Sequence, residues 1–130
     1  MQAGIDLARQ LGASITAFVA EAPPPPSGAG HSALHYVREL EEHRQAADKH
    51  AESVLSNARR RAEVAGVPFN GLYAYARQEV DLAIVETAQQ QGCDMIVMVT
   101  NGRGRWSELL HGSQTKGVLA RSKLPLLVLH

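Results

Sequence analysis

Apolar and polar residues alternate along this chain with two periods, and the two periods take turns. Ala3, Leu7, Ala8 and Leu11 recur at three- and four-residue spacing, which predicts a helix over 3–11. Gly12 is placed to end it. The run 14–20 (Ser-Ile-Thr-Ala-Phe-Val-Ala) is apolar and rich in β-branched residues, the mark of a buried strand. From 33 to 65, Ala47, Ala51, Val54, Leu55, Ala58 and Ala62 form one stripe among charged and amide residues, which predicts a long amphipathic helix. Gly66 and Pro68 stop it.

The same alternation continues to the end of the chain. Residues 71–76 read as a strand and 80–90 as a helix with Val80, Ala83, Ile84, Thr87 and Ala88 inward. Gly92 closes that helix. Residues 94–100 read as the next strand, 113–122 as a helix and 124–130 as the last strand. Helices alternating with strands over short connections predict an α/β fold: an open parallel sheet with helices on both faces, of Rossmann-like type. Ligands in such folds sit beyond the carboxyl ends of the strands. The whole of 1–130 reads as one domain, with a Pro/Gly-rich loop over 22–32 inside it. A βαβ fold normally begins on a strand, whereas this chain opens on a helix. Either a leading strand is missing, or four strands suffice.

Composition narrows the partners. Thirteen basic residues balance thirteen acidic ones, so no charge excess calls for nucleic acid or an anionic membrane. Arg59-Arg60-Arg61 reads as a solvated helix face. No apolar run is long enough to span a bilayer and no signal peptide is visible, which predicts a cytoplasmic protein. Cys93 is the only cysteine and reads as an inert, packed thiol. His31, His35, His43 and His50 fall on the long helix and its approach, and read as surface histidines rather than a metal set. No catalytic constellation is visible, and neither the lysine-bearing phosphate loop nor the dinucleotide fingerprint occurs.

The richest stretch follows the strand at 94–100. Gly102-Arg103-Gly104-Arg105-Trp106 leads through Leu109-Leu110 to Gly112-Ser113-Gln114 at a helix start. Glycines let backbone N–H groups approach an anion, and a helix N-terminus adds free donors. The same Gly112-Ser113 pair also serves as a plain turn and N-cap. Arg103 and Arg105 either pair with phosphate oxygens or stand as solvated loop charges. Trp106 reads as packing the loop onto the body.

The spacing from Gly102 through nine residues to Gly112-Ser113, with Asp94-Met95-Ile96-Val97-Met98 before it and Lys123-Leu124-Pro125-Leu126-Leu127-Val128 after it, resembles the universal stress protein family. The resemblance implies an adenine-nucleotide alpha hydrolase-like fold with five strands, of which four are visible here. It implies a stress-response module holding ATP (with magnesium) or another adenine nucleotide as a regulatory ligand, without efficient turnover. Carried over by position, Gly102, Gly112 and Ser113 would hold phosphates, with Arg103 closing over them. Met98 and Val99 would lie along ribose and base. Ala20 would offer backbone atoms to adenine, and Gln114 a backbone N–H. The resemblance also implies a homodimer through the last strand, with Leu126 and Val128 at the interface. Three features depart from the family pattern: Val99 stands where the motif has its first glycine, Gln78 where a glycine is frequent, and the first strand has no counterpart before Met1. These favour an alternative, a homodimeric interaction module of the same fold that binds no nucleotide. A further alternative is an ATP-dependent enzyme of a related class.

Overall fold

A computed structural model describes residues 1–21, 32–75, 79–99 and 113–129. The order of elements is α1 (Gln2–Leu11), β1 (Ile15–Glu21), α2 (Ala33–Ala65), β2 (Phe69–Tyr75), α3 (Val80–Gln90), β3 (Ile96–Val99), α4 (Ser113–Arg121) and β4 (Leu126–Leu129). Each expected element is present, with ends shifted by at most two residues. The expected loop at 22–32 lies outside the described residues except for Ser32, which caps α2.

Local chemistry explains the boundaries. Gly12 and Gly66 follow α1 and α2 in the left-handed conformation, at φ 63° and 70°, where a Cβ would be strained. Their backbone N–H groups, and those of the residues after them, return to carbonyls of the last helical turn. At the other end of α2, Ser32 Oγ accepts from the His35 backbone N–H at 3.3 Å, a side-chain N-cap.

The long helix buries Ala47, Ala51, Ala58 and Ala62. All four are alanines, so the helix backbone can lie close on the strands it covers. One buried cluster joins Ile5 and Ala8 of α1 to Ala62 and Val67, with Ile15, Ala65 and Phe69 packed around it. A second joins Val85 and Ala88 of α3 to Ile96 and Val118, with Ile84, Cys93, Met98, Leu124 and Leu126 around it. The expected inward face of α3 needs correction. Its buried residues are Asp81, Val85 and Ala88; a charged residue and a neighbouring valine replace Val80 and Ala83 as the anchors.

The strands are parallel, as expected. β1 pairs with β2 from Ile15↔Phe69 to Glu21↔Tyr75, and β3 pairs with β4 from Ile96↔Leu126 to Val99↔Leu129. Among the described residues they form two two-stranded ladders rather than one continuous four-stranded sheet. The halves still lie side by side. α3 packs on α4 in the second half and also touches β1. A Cβ on Gly4 of α1 would stand 4.0 Å from Val97 Cγ1 of β3. β1–α2–β2 is a parallel βαβ unit, a connection that is right-handed in nearly all such folds.

Candidate functional site

Parallel pairing brings the carboxyl ends of β1 and β2 to one edge, and does the same for β3 and β4. Ala20 lies one residue before the end of β1, half-buried and opposite Ala74. Met98 lies one residue before the end of β3, opposite Val128. Its side chain packs against the second core, so it is the backbone of Met98 that faces the strand edge. Val99 ends β3.

Helix α4 begins at Ser113, and Gln114 is its exposed second residue. The first helical N–H groups have no intrahelical acceptor. The first turn of α4 carries no acidic residue and includes the exposed Lys116. Helix dipole and side-chain charge therefore both favour an anion at this end. Gly102, Arg103 and Gly112 lie outside the described residues, as do Arg105 and Trp106.

What fixes α4 was not visible in the chain's periodicity. Val118 is fully buried. Gly117 lies directly against the Asp81 side chain, where an added Cβ would overlap the carboxylate. Arg121 Nε is 3.4 Å from Asp81 Oδ2, and Arg121 Nη2 donates to Glu79 Oε2 at 2.5 Å. Glu79 occupies the N-cap position of α3. A buried carboxylate is stable only when paired, and here its partner comes from another helix. A sequence signal for Asp81 did exist, because an acidic residue in a first helical turn meets the positive end of the helix dipole. Nothing in the spacing pointed to Gly117 or Arg121.

A second polar group stands at the carboxyl edge of β1 and β2. His50 Nε2 is 3.7 Å from Glu21 Oε1, and the His43 ring meets Tyr75 edge-on at 6.2 Å. The Tyr73 hydroxyl is buried without a well-formed hydrogen bond to the described residues. Burial first, then the Asp48 and Glu21 carboxylates, push its pKa above the ordinary phenol value. His35 lies 3.2 Å from Glu39. Among the described residues no three His, Cys, Asp or Glu side chains converge on a metal position.

A shallow groove lined by Asp6, Arg9, Arg60, Arg61 and Val64 runs between α1 and α2. It lies by the helix ends that lead into the starts of β1 and β2, at the opposite edge from Ala20 and Met98. Of the arginine run, Arg59 covers the Phe69 ring at 5.3 Å, and Arg61 donates to Asn57 and Gln2. At the last strand, Leu126 packs into the second core, and Val128 is half-buried. No described helix is long and apolar enough to cross a membrane.

These observations define a class: an α/β fold of parallel strand pairs covered by helices. The chain belongs to the universal stress protein family, whose model matches residues 1–130. No curated protein matches it in sequence. Solved structures of the same fold include the universal stress protein UspA from Lactobacillus plantarum, 21% identical at a TM-score of 0.74, with 98% of this chain and 85% of that one covered. A universal stress protein in complex with cAMP is 21% identical at 0.62, covering 99% and 82%. The universal stress protein from Archaeoglobus fulgidus in complex with dAMP is 16% identical at 0.59, covering 99% and 83%.

Proposed function

We propose that this protein is a cytoplasmic stress-response module that binds an adenine nucleotide at the carboxyl edge of its strands and does not turn it over efficiently. The observation that carries this reading is the start of α4, whose first N–H groups have no acceptor within the helix, with no acidic residue in its first turn and Lys116 exposed there. It is the next described element after β3. Two proteins of the same fold are complexes with cAMP and dAMP, which supports adenosine monophosphates as the first ligands to test and ATP with magnesium as the next.

In this reading Gly102, Gly112 and Ser113 hold phosphate oxygens with Arg103, and Gln114 adds a backbone N–H. Ala20, Met98 and Val99 bound the adenosine. When bound, the nucleotide supplies a regulatory signal, and the chain's own groups bind and orient it. The protein pairs with a second copy through β4, with Leu126 and Val128 at that contact.

The split between the two ladders favours one second reading. The same module acts through protein contacts alone, because the strands that would cradle a ligand are not one continuous sheet. Thermal-shift titration separates the readings. A ligand that binds only the native state raises the melting temperature as its concentration passes Kd. The nucleotide reading predicts a rise with AMP, cAMP or ATP and none with ribose. A flat response to millimolar nucleotide leaves the contact-only module.

A further inference from the structure

The cations of this molecule are not all matched by carboxylates. At the crossing of α3 and α4, Arg121 meets both Glu79 and Asp81. The groove between α1 and α2 is different. Arg9 stands on one wall, and Arg60 and Arg61 on the other. Among the described residues none of these three forms an ion pair.

Arg61 shows how the charge is kept. Its Nε donates to Asn57 Oδ1 at 2.9 Å, and its Nη1 donates to Gln2 Oε1 at 3.3 Å. Both acceptors are neutral amides. They hold the guanidinium in place without cancelling its charge, which pre-organises it for an anion. The carboxylate that lines the groove, Asp6, accepts from the same amide, through Gln2 Nε2 at 3.1 Å. Gln2 therefore links the anion and the cation while keeping them unpaired. The dipole at the end of α1 accounts for Arg9, which sits in its last turn. The last turn of α2 holds no basic residue, so Arg60 and Arg61 have no such role.

Charge is only half of this surface. Val64 lines the same groove and is 87% exposed, and Ala65 beside it is half-buried. A compact inorganic anion would meet the arginines and leave Val64 wet. A nucleic-acid strand would bring its phosphates past Asp6 and leave Val64 equally unmet. A peptide with carboxylates beside apolar side chains satisfies both features. Its carboxylates pair with the guanidinium forks, and an apolar side chain covers the valine. Arginine around an exposed apolar residue is the composition enriched at protein contacts. From Gln2 to Arg9, α1 rises about 10 Å, a span of about three extended residues. The groove volume of about 410 Å3 suits a segment of that size.

We propose that the groove between α1 and α2 docks a short acidic and apolar peptide segment of a partner protein, with its carboxylates on Arg9, Arg60 and Arg61 and an apolar side chain on Val64. The inference does not rest on the nucleotide reading.

Fluorescence anisotropy on the whole chain tests it, using as probe a fluorescein-labelled peptide of about seven residues in which glutamate and leucine alternate. The probe should bind saturably. Arg60→Gln combined with Arg61→Gln should weaken binding at least about fivefold, and Arg9→Gln on the other wall about twofold. Arg38→Gln combined with Arg44→Gln removes the same charge about 24 Å or more away along α2 and should leave Kd unchanged. Probes with glutamine for glutamate, or serine for leucine, should bind at least about fivefold more weakly. The proposal is overturned by no binding at millimolar probe, or by equal weakening from the two charge-matched pairs. It is also overturned if inorganic phosphate or a thymidine oligonucleotide displaces the probe at lower concentration than the unlabelled peptide does. Binding of AMP or ATP at the strand ends changes none of these readouts.

Discussion

The two halves of this molecule are built from the same parts and held together differently. The first, α1–β1–α2–β2, has a ladder of seven residue pairs and a long helix seated through alanines. Its core of Ile5, Ala8, Ala62 and Val67 contains no charge. The second, α3–β3–α4–β4, has a ladder of four pairs. Its cohesion is concentrated where Val118 is fully buried and Asp81 is wedged between Gly117 and Arg121. Stabilisation spread over many backbone pairs tolerates local change. Stabilisation concentrated at one helix crossing does not. The helix held at that crossing, α4, is also the one whose N-terminus we propose as part of the ligand site.

One substitution made in both halves breaks or confirms this contrast. Gly117→Ala should destabilise by about 3 kcal/mol, because the new methyl overlaps the Asp81 carboxylate in packed surroundings. Propensity alone predicts the opposite sign, since alanine is the better helix former. At Gly71 in β2 a Cβ would stand 3.2 Å from the tip of the Phe69 ring and 3.5 Å from Leu55, so Gly71→Ala should cost less than about 1 kcal/mol. Urea denaturation of the two variants compares them directly. Adding Asp81→Ala to Gly117→Ala should recover much of the loss, since the two changes share one contact.

Smaller effects extend the comparison. Val118→Ala empties a fully buried site and should cost about 2 to 3 kcal/mol. Arg121→Met leaves Asp81 without its cation. The arginine is itself 40% exposed, so water screens the pair and the cost should be about 1 to 2 kcal/mol. Both losses should appear as lower urea midpoints at unchanged slope.

In the first half, Tyr73→Phe removes a buried hydroxyl that lacks a well-formed bond and should be neutral or stabilising by up to about 1 kcal/mol. The sign of its pH dependence follows from its raised pKa. The folded state keeps the phenolic proton at pH values where the unfolded chain, near 10.0, has released it. This contribution is therefore complete below pH 10 and lost as pH rises through the folded pKa. Unfolding curves from pH 8 to 11 should show a steeper alkaline loss in the parent than in Tyr73→Phe.

The elements themselves were legible because periodicity reports them. The alanine stripe from Ala47 to Ala62 and the glycines at 12 and 66 placed α1 and α2 almost to the residue. Parallel pairing followed from the alternation of helices and strands. Asp81 carried a signal only as an acidic residue in a first helical turn; its burial was unreadable because its partner lies forty residues away on another helix, and charge normally marks the wet face of a helix. Gly117 gave no signal for the same reason, since a close approach is a property of two elements. Part of the candidate site was legible as a pattern: Ala20, Met98, Val99, Ser113 and Gln114 fall at strand ends or a helix start. The family resemblance implied Leu126 at an interface, while in the fold it packs on the core beneath its own strand.

The account's central claim is that the strand ends and the α4 N-terminus form one nucleotide site. Backbone amide chemical shifts during titration with AMP and then ATP test it most directly. The claim predicts saturable shifts at Ala20, Met98, Val99, Ser113 and Gln114, with Arg9, Arg60 and Arg61 at the opposite edge unchanged. No shift at millimolar nucleotide, or shifts confined to the arginine groove between α1 and α2, would contradict it.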